Sequence, residues 1–335
     1  MLHSYLTVAI RNMLRHTTYS VINVLGLAIG MGCCVLMLLF VQRECRVDQF
    51  HKEGHRIFKV VQETRGQSSA PFWGWGTPGA LGPALRLAFP EIEEVVRIMP
   101  WTSQVKSGGR TFQETFCIVD PNLLDVFTFP LIKGDPSRAL DQPGAAVITE
   151  STAKRHFGDA DPIGKVITAQ ESKFQGDFVV TGILHDLPDH STIQFDVLIT
   201  DAHRHPVTRR YWEEWLPGET IRPVEAYILL PEGFDSVVLE EKLADFSAPF
   251  LGAKDDARTV FHLQPFHRVY LYSRQDYGMI AYDGIEQVVL LTCMAIATLM
   301  IACINFLNLA TAQSTGRSKE VGTRKAIGAN RRQLI

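Results

Sequence analysis

The sequence predicts an α+β extracytoplasmic domain flanked by two transmembrane α-helices. Uncharged apolar runs near the two ends, residues 19–41 and 287–316, are long enough to cross ~30 Å of hydrocarbon as helices. Between them, strand-like stretches follow one another with scattered helical ones, which argues for α+β and against a doubly wound sheet. Charge is uneven: residues 42–286 carry 25 Lys and Arg against 35 Asp and Glu, a net of −10, while the two ends together carry 8 against 1, a net of +7. An acidic middle between basic ends suits an exported middle and gives no support for nucleic-acid binding.

Taken in order, residues 1–18 place Leu2, Tyr5, Leu6, Ala9, Ile10, Met13 and Leu14 at helical spacing, with Arg11, Asn12 and Arg15 opposite. That pattern predicts an amphipathic helix on the inner membrane surface. Residues 19–41 then form the first transmembrane helix, and Arg11 and Arg15 set the amino terminus inside. The apolar run is too long for a signal-peptide core, and no small-residue cleavage site follows Phe40. Lipoprotein processing at Cys33 lacks the aliphatic residue expected three positions earlier. Gly26 and Gly30 make a G-x-x-x-G step, a face on which a second helix can pack closely.

Residues 42–283 form the extracytoplasmic domain. Strands are expected at 56–63, 95–105, 112–119, 176–184, 193–199, 225–230 and 260–270, with helices at 79–88, 151–157 and 235–247. Turn signals recur at Asp120-Pro121-Asn122, Gly134-Asp135-Pro136, Asp161-Pro162 and Leu187-Pro188-Asp189. Of six cysteines, Cys33, Cys34, Cys293 and Cys303 fall in the apolar runs, leaving Cys45 and Cys117, so no disulfide framework or cysteine metal site is implied.

The second transmembrane helix is expected at 286–313. Asn305 and Asn308 within it are costly in lipid unless they face a partner helix, and are read as packing contacts. A basic segment, 314–335, follows, with Arg317, Lys319, Arg324, Lys325, Arg331 and Arg332 against the single acid Glu320. Such a terminus belongs on the cytoplasmic side.

The ordered run Glu320, Val321, Gly322, Arg324, Lys325, Ala326, Gly328, Ala329 and Arg332, placed after N-F-L-N-L-A, resembles the coupling segment of MacB/FtsX-like ABC transporter permease subunits. The string G-L-A-I-G resembles their first helix. D-P-N-L-L-D-V-F-T-F-P-L-I-K-G-D-P, V-I-T-E-S-T-A-K-R-H-F-G, D-P-I-G-K and V-T-G-I-L-H-D-L-P-D-H-S resemble their MacB-like periplasmic core domain. The resemblance implies an inserted, more distal subdomain, mapped here to about residues 110–203. It also implies a bacterial inner-membrane location, both termini of this chain cytoplasmic, and membrane lipid around the helices. A second permease subunit, a separate P-loop ATPase that binds ATP and Mg, and a periplasmic adaptor are the partners it suggests. Glu320, Gly322, Arg324, Lys325 and Gly328 would contact the ATPase, with the glycines allowing close backbone approach. Family members continue into further transmembrane helices, so the chain is expected to be a fragment.

No nucleotide or catalytic site is read in the chain itself. Gly158 with Gly164-Lys165 is the nearest approach to a P-loop, but the spacing is one residue too long and Val166 replaces the Mg-binding hydroxyl. His203 and His205, and the cluster His185, Asp186, Asp189 and His190, lack a nucleophile or a spaced third ligand. Glu91, Glu93 and Glu94 read as a solvated acidic face, and Trp73 and Trp75 as a lid on the local core. The alternative reading is a two-helix membrane sensor with an extracytoplasmic ligand-binding domain.

Overall fold

In the computed structural model, residues 17–65, 72–74, 76–107, 110–171, 174–200, 212, 224–251, 258–272 and 284–327 are described. The helix expected over residues 1–18 lies outside them but for its last two residues, as do His203, His205, Trp75 and Gly328. The chain divides into two compact units. One comprises residues 1–45 with 285–335, and the other runs from Arg46 to Gly284.

The first unit holds helices α1 (Thr17–Glu44) and α7 (Gly284–Ala326), the latter beginning at the last residue of the second unit. Each contains an apolar span of 25 residues, Ser20–Glu44 and Gly284–Asn308, long enough to cross a membrane. Their outward faces are apolar, with Leu25, Ile29, Leu36, Met300, Ile301 and Leu307 exposed. A helix that shows hydrocarbon on its surface is stable where the solvent is hydrocarbon.

The second unit is built on one sheet whose strands run β11 (Arg258–Pro265), β1 (Ile57–Arg65), β10 (Glu225–Leu229), β3 (Glu94–Ser107), β4 (Arg110–Val119), β9 (Val197–Ile199), β6 (Ala145–Thr149), β8 (Phe174–Leu184), β5 (Leu131–Lys133). Off this path, β2 (Phe72–Gly74) pairs with β1, and β7 (Val166–Glu171) pairs with β3 and β8. Most pairings are antiparallel, while β4 with β9 and β6 with β8 are parallel. Along the strand order the change comes at β3, which pairs with both β4 and β7. Strands from either side of the segment mapped as the insert, 110–203, make one half of the sheet, and strands from within it make the other. The long β3 belongs to both, pairing with β10 through residues 94–98 and with β4 through residues 98–107.

Helices α2 (Leu81–Ala88) and α5 (Ser236–Leu251) cover the first half, sealing a core of Leu81, Leu85, Val60, Ile228, Leu239, Leu243 and Phe261. Helix α4 (Glu150–Phe157) packs on the second half. Thr149 caps it by accepting from Thr152 N–H, and Glu150 in the first turn suits the helix dipole. The Arg155 guanidinium grips Glu114 of β4 with two hydrogen bonds of 2.9 and 2.8 Å, and His156 Nε2 meets the same carboxylate at 2.8 Å. Burial would push the Glu114 carboxyl up, but the bonds from His156 and Arg155 outweigh it and hold the group below its ordinary value. Across the ladder, Arg97 donates to both Asp120 oxygens and to the Gly79 and Trp212 carbonyls, with the Trp212 ring 4.2 Å away.

Several expected elements differ. The strand expected at 260–270 stops at Pro265, and Phe266–Tyr272 form helix α6. Proline cannot donate to the ladder, and beyond it Phe266 and Val269 are buried at helical spacing, which the alternating look of V-Y-L-Y disguises. Of the strand expected at 193–199 only Val197–Ile199 pair. Strand β6, A-A-V-I-T, was not expected; it is buried at every position, so it has no period-2 signal to read. The short α3 (Leu123–Val126), β2 and β5 were likewise not expected. The acidic run is engaged and not simply solvated: Glu91 pairs with Lys242 at 2.6 Å, Glu93 with Arg56, and Glu94 with Arg86 at 3.4 Å.

His51 is 5% exposed and surrounded by aromatic rings, and burial alone lowers its pKa to about 4. The unfolded imidazole binds a proton near its ordinary value of 6.5, so between these values the unfolded state holds more protons and stability falls as pH drops. The expected loss from this group between pH 6.5 and 4 is about 3 kcal/mol. Thermal unfolding in detergent should show the stability gap between wild type and His51→Gln shrinking by that amount over the window; a constant gap would assign the acid sensitivity elsewhere.

Candidate functional site

No convergent catalytic set is present among the described residues, and none of their His, Cys, Asp and Glu side chains form a group of three that could hold a metal. The cluster His185, Asp186, Asp189 and His190 is partly engaged in structure: Asp186 Oδ1 accepts from Ser151 N–H at 2.8 Å, and the His190 carbonyl accepts from Asp48 N–H at 3.0 Å. Residues 161–165 make a turn leading into β7, with Gly164 at φ +78° and Lys165 N–H donating to the Pro162 carbonyl. Trp73 lies on β2 with its ring 5.4 Å from His262. None of the six cysteines is in a disulfide, and burial pushes the Cys117 thiol far up, which makes it inert. The features that can carry function are the helix pair, the basic extension of α7, and the residues that follow α1.

On α1 the residues facing inward are small and spaced by four: Gly30 and Cys34 are buried and Gly26 is half-buried. A Cβ at Gly30 would lie 2.8 Å from the Ala302 Cβ, and one at Gly26 would lie 2.9 Å from Asn305 Nδ2. On α7 the buried residues, Val288, Ala295 and Ala302, recur every seventh position. The helices therefore run antiparallel and touch along a glycine and alanine seam. Asn305 points at α1, whereas Asn308 is exposed. Thr292 and Thr298 donate to the carbonyls four residues earlier, so their hydroxyls spend no polar group on lipid.

Helix α7 does not end with its apolar span. The basic segment that follows the span continues the same helix without a break as far as Ala326. Nothing between residues 309 and 326 is a proline, and A-T-A-Q-S-T-G-R-S-K-E-V-G-T-R-K-A contains mostly helix-tolerant residues. At 1.5 Å per residue, the 43-residue helix is about 64 Å long, roughly twice the hydrocarbon thickness. Glu320, Gly322, Arg324 and Lys325 all lie on this extension; Gly322 has open space around it and Lys325 is exposed.

The sequence reading missed how the chain leaves α1. Immediately after the helix, Asp48 adopts φ +61°, a left-handed conformation that Asp tolerates better than most residues. Its carboxylate accepts from Thr192 N–H at 2.8 Å and from the Thr192 hydroxyl. Burial pushes the Asp48 carboxyl up against the lowering effect of those bonds. Three residues on, His51 Nδ1 accepts from Thr128 N–H at 3.0 Å, and Lys52 N–H donates to Thr128 Oγ1 at 2.9 Å. The His51 ring lies 4.1 Å from that of Phe50 and 5.2 to 5.3 Å from those of Phe127, Phe129 and Phe266. Phe266 opens α6, and at the other end of α6 the Tyr270 carbonyl and Leu271 Cα would lie 3.3 and 3.4 Å from a Cβ on Gly284, the first residue of α7. One short helix thus contacts both the exit from α1 and the start of α7. The D-H-S string, with D-Q-F-H upstream, was the available signal, but neither string reveals the left-handed turn or the pairing across 144 residues.

The MacB-like periplasmic core domain family matches residues 20–245. A stretch of 190 residues is 26% identical to the macrolide export ATP-binding/permease protein MacB of Bdellovibrio bacteriovorus, covering 57% of this chain and 27% of that protein. The chain thus spans about a quarter of that relative. Among solved structures, a domain from a Porphyromonas gingivalis protein described as a permease aligns over 64% of this chain and 91% of its own, with 24% identity and a TM-score of 0.54, showing the same fold. The periplasmic region of MacB from Actinobacillus actinomycetemcomitans aligns over the same shares with 16% identity and a TM-score of 0.43.

The seam makes a sharp expectation. Gly30→Leu, which drives a side chain into Ala302, should cost about 1–3 kcal/mol of thermal stability in detergent, while Gly32→Leu, with nothing within 4 Å, should be near neutral. Equal effects at the two positions would contradict the packed face.

Proposed function

Because this chain belongs to the MacB-like periplasmic core domain family, we propose that it is the permease subunit of an ABC transporter, with no nucleotide site of its own. Its two spans cross the bacterial inner membrane with the amino terminus inside, and the unit from Arg46 to Gly284 lies on the far side. Two permease units assemble and recruit a P-loop ATPase, which supplies ATP and Mg²⁺ chemistry. The observation that carries this reading is the unbroken helix from Gly284 to Ala326, which joins the domain to a basic segment well beyond the hydrocarbon.

An α-helix keeps its backbone hydrogen bonds internal, so it passes displacement along its axis without exchanging bonds with lipid. ATP binding draws the two extensions together through contacts at Glu320, Gly322, Arg324, Lys325 and Gly328. The motion travels along α7 and, through the glycine seam at Gly26 and Gly30 against Ala302 and Asn305, is shared with α1. Both helices connect to the domain, and the motion is delivered to it as to one body. Work done in this way acts on a substrate or adaptor already outside the membrane and needs no polar channel through it. Export or extrusion fits such a device.

Affinity purification of the full-length gene product in mild detergent tests the coupling contact. A P-loop ATPase should accompany the wild type and be lost, tenfold or more, from the Arg324→Glu/Lys325→Glu double variant. An ATPase retained equally by both would move the contact elsewhere, and none with either would overturn the transporter reading.

A further inference from the structure

Helix α6 has two faces. Phe266 and Val269 are buried in the core that contains Phe127 and Tyr227, while His267, Arg268, Tyr270 and Tyr272 are exposed. Exposed tyrosines on a soluble surface are ordinary and need no explanation. Their position gives these two a different meaning. The Leu271 Cα lies 3.4 Å from where a Cβ on Gly284 would be, so the next residue, Tyr272, has its Cα within about 8 Å of that point. Gly284 begins the apolar span, which at 25 residues is about 37 Å long, some 7 Å more than the hydrocarbon it crosses. Glu286 in the first turn keeps that excess at this end, which puts Gly284 at headgroup depth. The opposite end of α6 is fixed by Phe266 against His51, only seven residues beyond the end of α1, and exposed Arg46 lies in that short connection.

We propose that α6 is an interfacial helix: its Arg268, Tyr270 and Tyr272 face, together with Arg46, rests on lipid headgroups at the domain side of the membrane. Tyrosine rings suit this layer, with the ring toward the glycerol region and the hydroxyl in water, and the guanidinium groups pair with lipid phosphate. The headgroup layer is the occupant because covalent continuity with the span brings it to this face, whatever the orientation of the rest of the domain.

The inference rests on α7 spanning the membrane, and the test separates the two. An environment-sensitive nitrobenzoxadiazole probe is attached at a single cysteine, in a background without the native cysteines, at position 272, at exposed Leu87 on α2, or at exposed Ile296 on α7. The full chain is reconstituted in phosphatidylethanolamine/phosphatidylglycerol vesicles carrying phospholipids spin-labelled in the headgroup or at mid-chain. Quenching of the 272 probe by the headgroup label should be at least twofold that at 87, and the 296 probe should be quenched by the mid-chain label. A quenched 296 with a 272 probe as bright as that at 87 overturns the interfacial helix and leaves the span intact. An unquenched 296 removes the span and the inference with it.

Discussion

The structure depends on how the chain is held in the residues after α1. A helix leaving a membrane has carbonyls without partners at its end and must hand its backbone to a fold of unrelated geometry. Here the transfer is made by Asp48, which turns the chain through a left-handed residue and accepts two hydrogen bonds from Thr192, and by His51, which takes the Thr128 amide into an aromatic cluster. A neutral imidazole is required, because its acceptor nitrogen satisfies a main-chain donor that the surrounding phenylalanines could not. Breaking one partner of such a buried pair leaves the other unsatisfied at a cost of about 1–3 kcal/mol. The residues that follow α1 are therefore part of the core of the second unit.

That core is shared by both halves of the sheet. The chain on either side of residues 110–203 carries both connections to α1 and α7, and residues 110–203 include Thr128 and Thr192, the partners of His51 and Asp48. The cluster that includes Phe127, Phe129, Phe195, Tyr227 and Phe266 draws residues from both halves. Long β3 and β4, paired over ten residues on each strand, extend the join away from that cluster.

Much of this was legible in the residues. Uncharged length marks α1 and α7, period-2 runs mark β1, β3, β4, β8 and β10, and period-3.6 runs mark α2, α4 and α5. What escaped had physical reasons. Strand β6 is buried on both faces and shows no alternation. Helix α6 is too short to display more than two inward residues, and its aromatic spacing imitates a strand. Of the residues proposed for function, Gly26, Gly30 and Asn305 are brought together by the antiparallel helices, Asn308 turns outward, and Glu320, Gly322, Arg324 and Lys325 line up on one continuous helix. Asp48 and His51 could not be read, since their partners are 144 and 77 residues away and spacing carries no trace of such pairs.

Amide hydrogen exchange of the full-length chain in detergent, followed at Thr128 and Thr192, probes the residues after α1 most directly. If the exit of α1 is part of the core, both amides should exchange only by global unfolding, as slowly as those of β1. Exchange at the rate of an exposed turn, with β1 still protected, would show that these residues open on their own and that displacement of the helices is not delivered to the domain through them.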